Sequence, residues 1–483
     1  MNRATSGPAR DHCLAPGRAV DAPPGGGRYT RLFPHLPPLG VDSRLVHALG
    51  RAGGACDSAT CRRGESRTVA AGWPVFGQYV AHDITADRSP VTHHDDESLL
   101  RNVRSARVNL ECLYGDGPVA QPYLYSRRDP AKLLLGRNDR SRHDDLPRNQ
   151  EGTALVGDPR QDVHVLISQM QVAMIRAHNR LVDRLRIDGI PEAQLFAAAR
   201  QALTWHYQWV VLHDFLPATI GRERTERLLA EGPRYVPRDQ PVAIPLEFAD
   251  AAYRYGHSQI RDTYRLRPGG PSLSLFPDLL GFRPVPADRV VDWRELLPVP
   301  GGPPPQRARP IDGRLPASLV HLPPDITGAL DDTDHGSLAV RDLLRGNATA
   351  LPSGEAVARA VGAQPLTAEE TRLADHGWAG ETPLWYYVLK EAEAREDGER
   401  LGPVGALIVG EVLVRIVDDD PGSHRCVDPS WRPTLPSREP DRFTLADLLA
   451  PHPVAGCLPV GMSPATAGTS MSRLTQDVGH RTG

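Results

Sequence analysis

The chain is poor in lysine, in cysteine, in long apolar runs and in excess charge of either sign. Arginine far outnumbers lysine, yet the 56 basic residues are balanced by 59 acidic ones, for a formal charge of −3. A pI of about 6.7 offers no electrostatic recruitment of nucleic acid or of an anionic membrane surface. Six cysteines (Cys13, Cys56, Cys61, Cys112, Cys426 and Cys457) form no CxxC pair. That is too sparse for a disulfide scaffold in a chain of 483 residues, so reduced thiols are expected. No segment approaches the roughly 18 consecutive apolar residues of a membrane span. The residues after Met1 lead into no apolar h-region, so no secretory signal is read and a cytoplasmic placement is expected, with non-classical secretion left open. Internal repeats are also lacking.

Proline (47) and glycine (44) are plentiful, as expected for long ordered loops between helices. Residues 1–27, ending in Pro23-Pro24-Gly25-Gly26-Gly27, read as a flexible leader. Residues 28–450 read as one folded domain, with Pro300-Gly301-Gly302-Pro303-Pro304-Pro305 as an internal loop. Residues 451–483 have no apolar period and read as a disordered tail. Within the domain, Met170, Met174, Ala177 and Leu181 mark one apolar helical stripe. A second helix is expected from Glu192 to about Phe215, stopped by Pro217. Two more are expected at Trp385–Glu393 and Gly402–Val417. Strands are few and short, so the class is mainly α.

Three segments carry chemistry. In Phe76-Gly77-Gln78-Tyr79-Val80-Ala81-His82-Asp83, Gln78 and His82 are four apart and share a helix face. Asp83 is rotated away. An imidazole there can move protons near neutral pH, and an amide beside it can fix a water or small anion. Val156-Gly157-Asp158-Pro159-Arg160 is a turn into a helix that displays Arg160, whose guanidinium stays charged at any working pH. Tyr253-Arg254-Tyr255-Gly256-His257 offers a second imidazole, with a glycine that permits close approach of backbone to a ligand. One histidine to bind an iron and another to shuttle protons beside a fixed positive charge is the equipment of peroxide cleavage on haem. Read alone, each segment is also compatible with a surface histidine, a loop arginine or a core histidine.

In this order, and with Asn102-Val103-Arg104, Leu113-Tyr114-Gly115, Ala177-His178-Asn179-Arg180-Leu181 and Leu343-Leu344-Arg345-Gly346, the chain resembles the animal-type haem peroxidase superfamily, the group of myeloperoxidase and lactoperoxidase, and especially its bacterial members. The resemblance runs from about Tyr29 to Leu449. It implies a helical haem domain in which His82 is the acid–base residue, Arg160 its charged partner and Gln78 part of the same pocket. His257 would be the proximal iron ligand, Asp342 the acceptor of its N–H, and Arg345 a neighbour of a haem propionate. Hydrogen peroxide and a small organic reductant or a halide would be the substrates. Fatty-acid dioxygenases and cyclooxygenase-like haem enzymes share the fold and are the first alternative; a non-catalytic haem-binding module is the second.

The departures are informative too. Ala81 and Val163 stand where mammalian members carry carboxylates esterified to haem, so non-covalent haem b is expected. Asp342 replaces an asparagine. Asp83, Ser105, Asn109 and Glu111 occupy the positions of a Ca²⁺ loop with altered ligand types, and a metal-free loop is the competing reading. His164, His178, His206 and His213 are expected to be structural, and Lys390, Glu391 and Glu393 to form a solvated helix face. Arg254 occupies the position of the radical tyrosine of lipid-oxidising relatives. Oligomeric state is not legible.

Overall fold

A computed structural model describes residues 27–60, 64–86, 100–137, 143–236, 242–327 and 336–450. The expected leader, apart from Gly27, and the expected tail lie outside the described residues. Among those described, eight helices reach eight residues or more: α1 (Ser43–Gly50), α2 (Gly72–Ile84), α3 (Val165–Ile187), α4 (Glu192–Val210), α5 (Arg222–Glu231), α6 (Leu338–Ala348), α7 (Leu384–Glu396) and α8 (Pro403–Asp418). The strands are three two-stranded antiparallel ribbons: β1 (Gly27–Arg28) with β2 (Arg101–Asn102), β3 (Gly136–Arg137) with β4 (Asp144–Asp145), and β5 (Thr263–Arg265) with β6 (Ser272–Ser274). The mainly α expectation holds.

Apolar periodicity builds the frame. Met170, Met174, Ala177 and Leu181 are all buried on α3, which packs along α4. Rings of Phe76 and Tyr79 from α2 meet Tyr207 of α4 edge-on, at 5.9 and 6.2 Å between centroids, and Phe76 meets Phe215 at 5.4 Å. Such T-shaped pairs add about 0.5–1.5 kcal/mol each beyond their buried area, and they fix α2 against the body of the domain. None of the described helices is long and apolar enough to cross a membrane.

Two expectations about helices need correction. Pro217 does not stop the helix that begins at Glu192: after Val210 the backbone widens into a π-turn over Val211–Phe215 and continues as Leu216–Ile220, with Pro217 in its first turn. The proline, which has no N–H to give, falls directly after the π-turn that interrupts the regular bonding of the helix. Lys390 and Glu391 are not solvated but buried. Glu391 accepts the Val404 and Gly405 N–H groups at the start of α8, and burial pushes its carboxyl up to about 7. Glu393 is the salt-bridge partner of Lys390, at 2.7 Å.

Candidate active site

A single cavity gathers most of the chemistry. It encloses about 1260 Å³ of empty space, part of it open to solvent. Its lining includes Gln78, His82, Arg160, His164, Arg254 and His257. Three separated segments therefore converge, as the motif order implied. Gln78 and His82 come from α2, one turn apart. Arg160 comes from a 3₁₀ turn (Pro159–Asp162) leading to α3, and His257 from a short helix (Gly256–Gln259) that follows a 3₁₀ turn at Ala252–Tyr255. Ala81 and Val163 lie in the wall, and a Cβ built on Gly256 would meet nothing within 4 Å.

The two cavity histidines have different partners. His82 is buried and its Nδ1 lies 3.3 Å from Gln161 Oε1. An amide oxygen only accepts, so Nδ1 carries the proton and Nε2 the lone pair. His257 is more open, with 29% of its side chain exposed, and its Nδ1 lies 2.6 Å from Oδ2 of the fully buried Asp342. That bond also fixes the tautomer, leaving Nε2 of His257 with no hydrogen-bond partner among the described residues. Burial would raise the Asp342 carboxyl, but His257 and Arg254 outweigh it and hold the group below its ordinary value.

Arg254 is the residue the sequence reading undervalued. Its Nη1 binds Asp342 Oδ1 at 2.9 Å, its Nη2 lies 3.5 Å from Asp250, and its Nε donates to the Ala249 carbonyl. Arg345 is not brought to the cavity wall: its Nη1 pairs with Asp250 Oδ1 at 2.9 Å. The countercharge to Asp342 is thus Arg254, and Arg345 stands one carboxylate further back. No local signal reveals this, since the pairing spans 88 residues.

Arg160 is anchored on three sides. Its Nε and Nη2 reach Asp158 at 2.9 and 2.8 Å, and Nη2 also donates to the carbonyls of Thr85 (2.7 Å) and His82 (3.2 Å) at the end of α2. A cation at helix-terminal carbonyls is electrostatically favoured. Nη1 makes no hydrogen bond among the described residues. His164, expected to be structural, caps α3 by accepting the Ile167 N–H at Nδ1, and its Nε2 donates to Gln78 Oε1 at 2.9 Å. Burial depresses its pKa to about 3. It is both a helix cap and part of the cavity wall. His178 and His206 are structural, bonded to Tyr114 and to backbone, while His213 stacks on Trp209.

The four positions implied for Ca²⁺ lie together beside the end of α2, and their polar atoms are occupied by one another. Asp83 accepts the N–H groups of Asn109, Leu110 and Cys112. Glu111 accepts the Ser105 N–H and hydroxyl and pairs with Arg104. Asn109 turns its amide nitrogen onto Ser105. Among the described residues no three His, Cys, Asp or Glu side chains are grouped to hold a metal ion.

A helical frame enclosing two histidines, an arginine and a buried carboxylate behind one imidazole defines a class, and the comparisons agree. Residues 100–275 match the animal haem peroxidase family. Its relatives include Heme peroxidase 2 of Caenorhabditis elegans, 32% identical over 154 residues, which are 29% of this chain and 21% of that protein. Chorion peroxidase of Drosophila melanogaster is 28% identical over 197 residues, 38% of this chain and 22% of that protein. The chain thus matches about a fifth of the length of these curated relatives. Among solved structures, Peroxidase A from Dictyostelium discoideum superposes with a TM-score of 0.63 at 16% identity, covering 88% of this chain and 92% of that one. A fatty acid alpha-dioxygenase from Oryza sativa gives 0.58 at 15% identity, covering 81% and 73%. At these identities the structural likeness speaks for the fold.

The family matched over residues 100–275 implies haem, and the donor set fits it. His257 has one nitrogen oriented by Asp342 and the other without a partner, in a cavity walled largely by apolar side chains and an open glycine face.

Proposed function

We propose that this chain is a haem peroxidase that reduces hydrogen peroxide while oxidising a small organic donor or a halide. The observation that carries the reading is the asymmetry of the two cavity histidines, one oriented by a neutral amide and one by a buried carboxylate. His257 Nε2 would hold the iron. The haem, when bound, supplies the iron at which the peroxide O–O bond is cleaved and through which donor electrons pass. His82 Nε2, the lone-pair nitrogen, takes a proton from the near peroxide oxygen and returns it to the departing one. Arg160, held by Asp158 and the α2 carbonyls, directs positive charge at the cavity, where negative charge develops. Gln78, its carbonyl engaged by His164, orients a small polar ligand beside His82.

Ala81 and Val163 in the cavity wall have no carboxylate to esterify, which supports non-covalent haem b. Acidified organic solvent should extract the haem; retention on the denatured polypeptide would refute this. The dioxygenase alternative is disfavoured by Arg254, whose charge is committed to Asp342 and Asp250 where lipid-oxidising relatives carry a tyrosine. Steady-state assays with peroxide against phenols, halides and unsaturated fatty acids test the reading. Peroxide-dependent turnover of phenols or halides is expected. Oxygen uptake with linoleate that is abolished by Tyr253→Phe or Tyr255→Phe would overturn it in favour of a dioxygenase.

A further inference from the structure

Among the described residues between α2 and the arginine turn, those at 100–112 bond to one another and to the end of α2. Asn102 spans the end of α2, donating to the Ile84 carbonyl and accepting the Ala86 N–H, both at 2.8 Å. Leu110 adopts a left-handed backbone, φ 59°, which costs a branched residue of the order of 1 kcal/mol or more. Its N–H meets Asp83 Oδ2 at 3.0 Å. Asn109 N–H shares that oxygen at 3.2 Å, and Cys112 N–H takes Oδ1 at 3.2 Å. Glu111 folds back so that Oε2 receives the Ser105 N–H and hydroxyl at 3.0 and 2.6 Å, while Oε1 receives Arg104 Nη1 at 3.1 Å.

A calcium ion needs six to eight oxygen ligands whose lone pairs point at one centre. Here the lone pairs of Asp83 point at peptide N–H donors. Ser105 gives its proton to Glu111 and accepts from Asn109 Nδ2 at 3.1 Å, so Asn109 presents its positive end to the loop. The Asn109 oxygen accepts the Glu111 N–H. The donor set does not fit the ion.

Beside these carboxylates lies a buried cation, the Arg104 guanidinium, 8% exposed. Besides Glu111, it binds the fully buried Asp158 through Nε (3.0 Å) and Nη2 (2.5 Å), and the Gly157 carbonyl at 2.9 Å. Asp158 in turn binds Arg160 through its backbone and side chain. The two segments touch so closely that a Cβ on Gly157 would stand 2.6 Å from the Cys112 carbonyl oxygen.

We infer that this loop closes without a metal ion, and that the chain Glu111–Arg104–Asp158–Arg160 fixes both the end of α2 and the cavity arginine, with Arg104 as its positioning residue. The part concerning Arg160 rests on the proposed peroxidase reading; the metal-free closure does not. A planar fork suits this post better than an ammonium, because it serves two carboxylates and a carbonyl at once.

The test starts with haem-free and haem-loaded wild-type protein, heated with EDTA, with millimolar CaCl₂ and with neither, alongside metal analysis of the purified protein. Equal melting temperatures in all three conditions and no stoichiometric calcium are expected. A fall in Tm with EDTA, or one bound calcium per chain, would overturn the metal-free closure. Arg104→Lys keeps the charge and should fold, with the Soret band and haem affinity of wild type. It should lower the rate of reaction with peroxide about tenfold, a fraction of the ~10²–10³ lost when a charge donor is removed outright. An unchanged peroxide rate in Arg104→Lys would overturn the positioning role. Arg104→Met strips Glu111 of its cation and leaves Asp158 with Arg160 alone, so its Tm should fall below that of wild type in all three conditions; a folded Arg104→Met with an unchanged Tm would count against Arg104 as the cation that closes the loop. If wild type shows no peroxide chemistry but the EDTA arm behaves as expected, the peroxidase reading fails and the metal-free closure stands.

Discussion

The His82 and His257 sides of the cavity use the same side chain against opposite backgrounds. Behind His82 stands a neutral amide at a loose 3.3 Å; behind His257 stands a buried carboxylate at 2.6 Å. A neutral acceptor orients the ring of a group that must both take and release a proton. A carboxylate gives the ring anionic character, which suits a ligand that must stay unprotonated at the nitrogen facing a metal. Backing groups, more than the histidines themselves, divide the labour.

The comparison can be broken from the His82 side first, where the largest rate effects are expected. His82→Ala should lower the rate of reaction with peroxide by about 10²–10⁴-fold. Arg160→Ala should lower it by roughly 10²–10³-fold, read by stopped-flow absorbance on haem-loaded protein. Gln161→Ala removes only the orienting acceptor and should cost less, about 10–100-fold by analogy with other groups that orient functional histidines. A loss as large as that of His82→Ala would mean that Gln161 does more than hold a tautomer.

On the other side, Arg254→Met leaves the Asp342 charge buried with His257 alone. Breaking such a pair typically costs about 3–5 kcal/mol, measurable by denaturant unfolding of the haem-free protein. The same variant should lower the Fe(III)/Fe(II) potential, whereas Asp342→Asn should raise it. Shifts of the same sign, or none, would remove the argument that Arg254 offsets the Asp342 charge.

The smallest effect is a pH dependence of stability. Burial, first among the causes, depresses His164 to about 3 and His178, His206 and His424 to about 4. Each is neutral when folded and takes up a proton on unfolding below its unfolded value of about 6.5. The stability they protect at neutral pH is therefore lost as pH falls from about 6.5 to about 4. Burial raises Asp83 and Glu391 to about 7; these release protons on unfolding and oppose the trend between about 4 and 7. Among the described residues His213 is likewise depressed to about 4, while burial raises Asp214 to about 6 and lifts Glu247, Asp312 and Glu355 above their ordinary values; the two sets oppose each other, at about 1.4 kcal/mol per pH unit for each net proton. Chemical denaturation between about pH 4 and 7 of wild type and Glu391→Gln separates the two sets: the variant should lose stability on acidification more steeply than wild type, and an identical pH dependence would contradict this.

What was legible in the sequence was local. Gln78 and His82 could be placed on one face because i,i+4 spacing is a property of the helix, and the Met170–Leu181 stripe for the same reason. The convergence of His82, Arg160 and His257 needed the order of motifs and the resemblance they carry, since nothing local brings residue 82 to residue 257. Partnerships were the hardest to read. Asp342 is reached only through the resemblance, Arg254 reads only as a missing tyrosine, and the pairing of Arg345 with Asp250 has no signal in the local sequence. Such pairings are decided by tertiary packing, as are the burial of Lys390 and Glu391 and the capping role of His164, whose neighbours in sequence are ordinary.

The most direct test of the division of labour is haem titration of His82→Ala and His257→Ala side by side, followed by Soret absorbance and then by reaction with peroxide. The account predicts that His82→Ala binds one haem with a wild-type band and fails in the peroxide step, and that His257→Ala loses most of the band. Full haem retention by His257→Ala, or loss of haem by a folded His82→Ala, would contradict it.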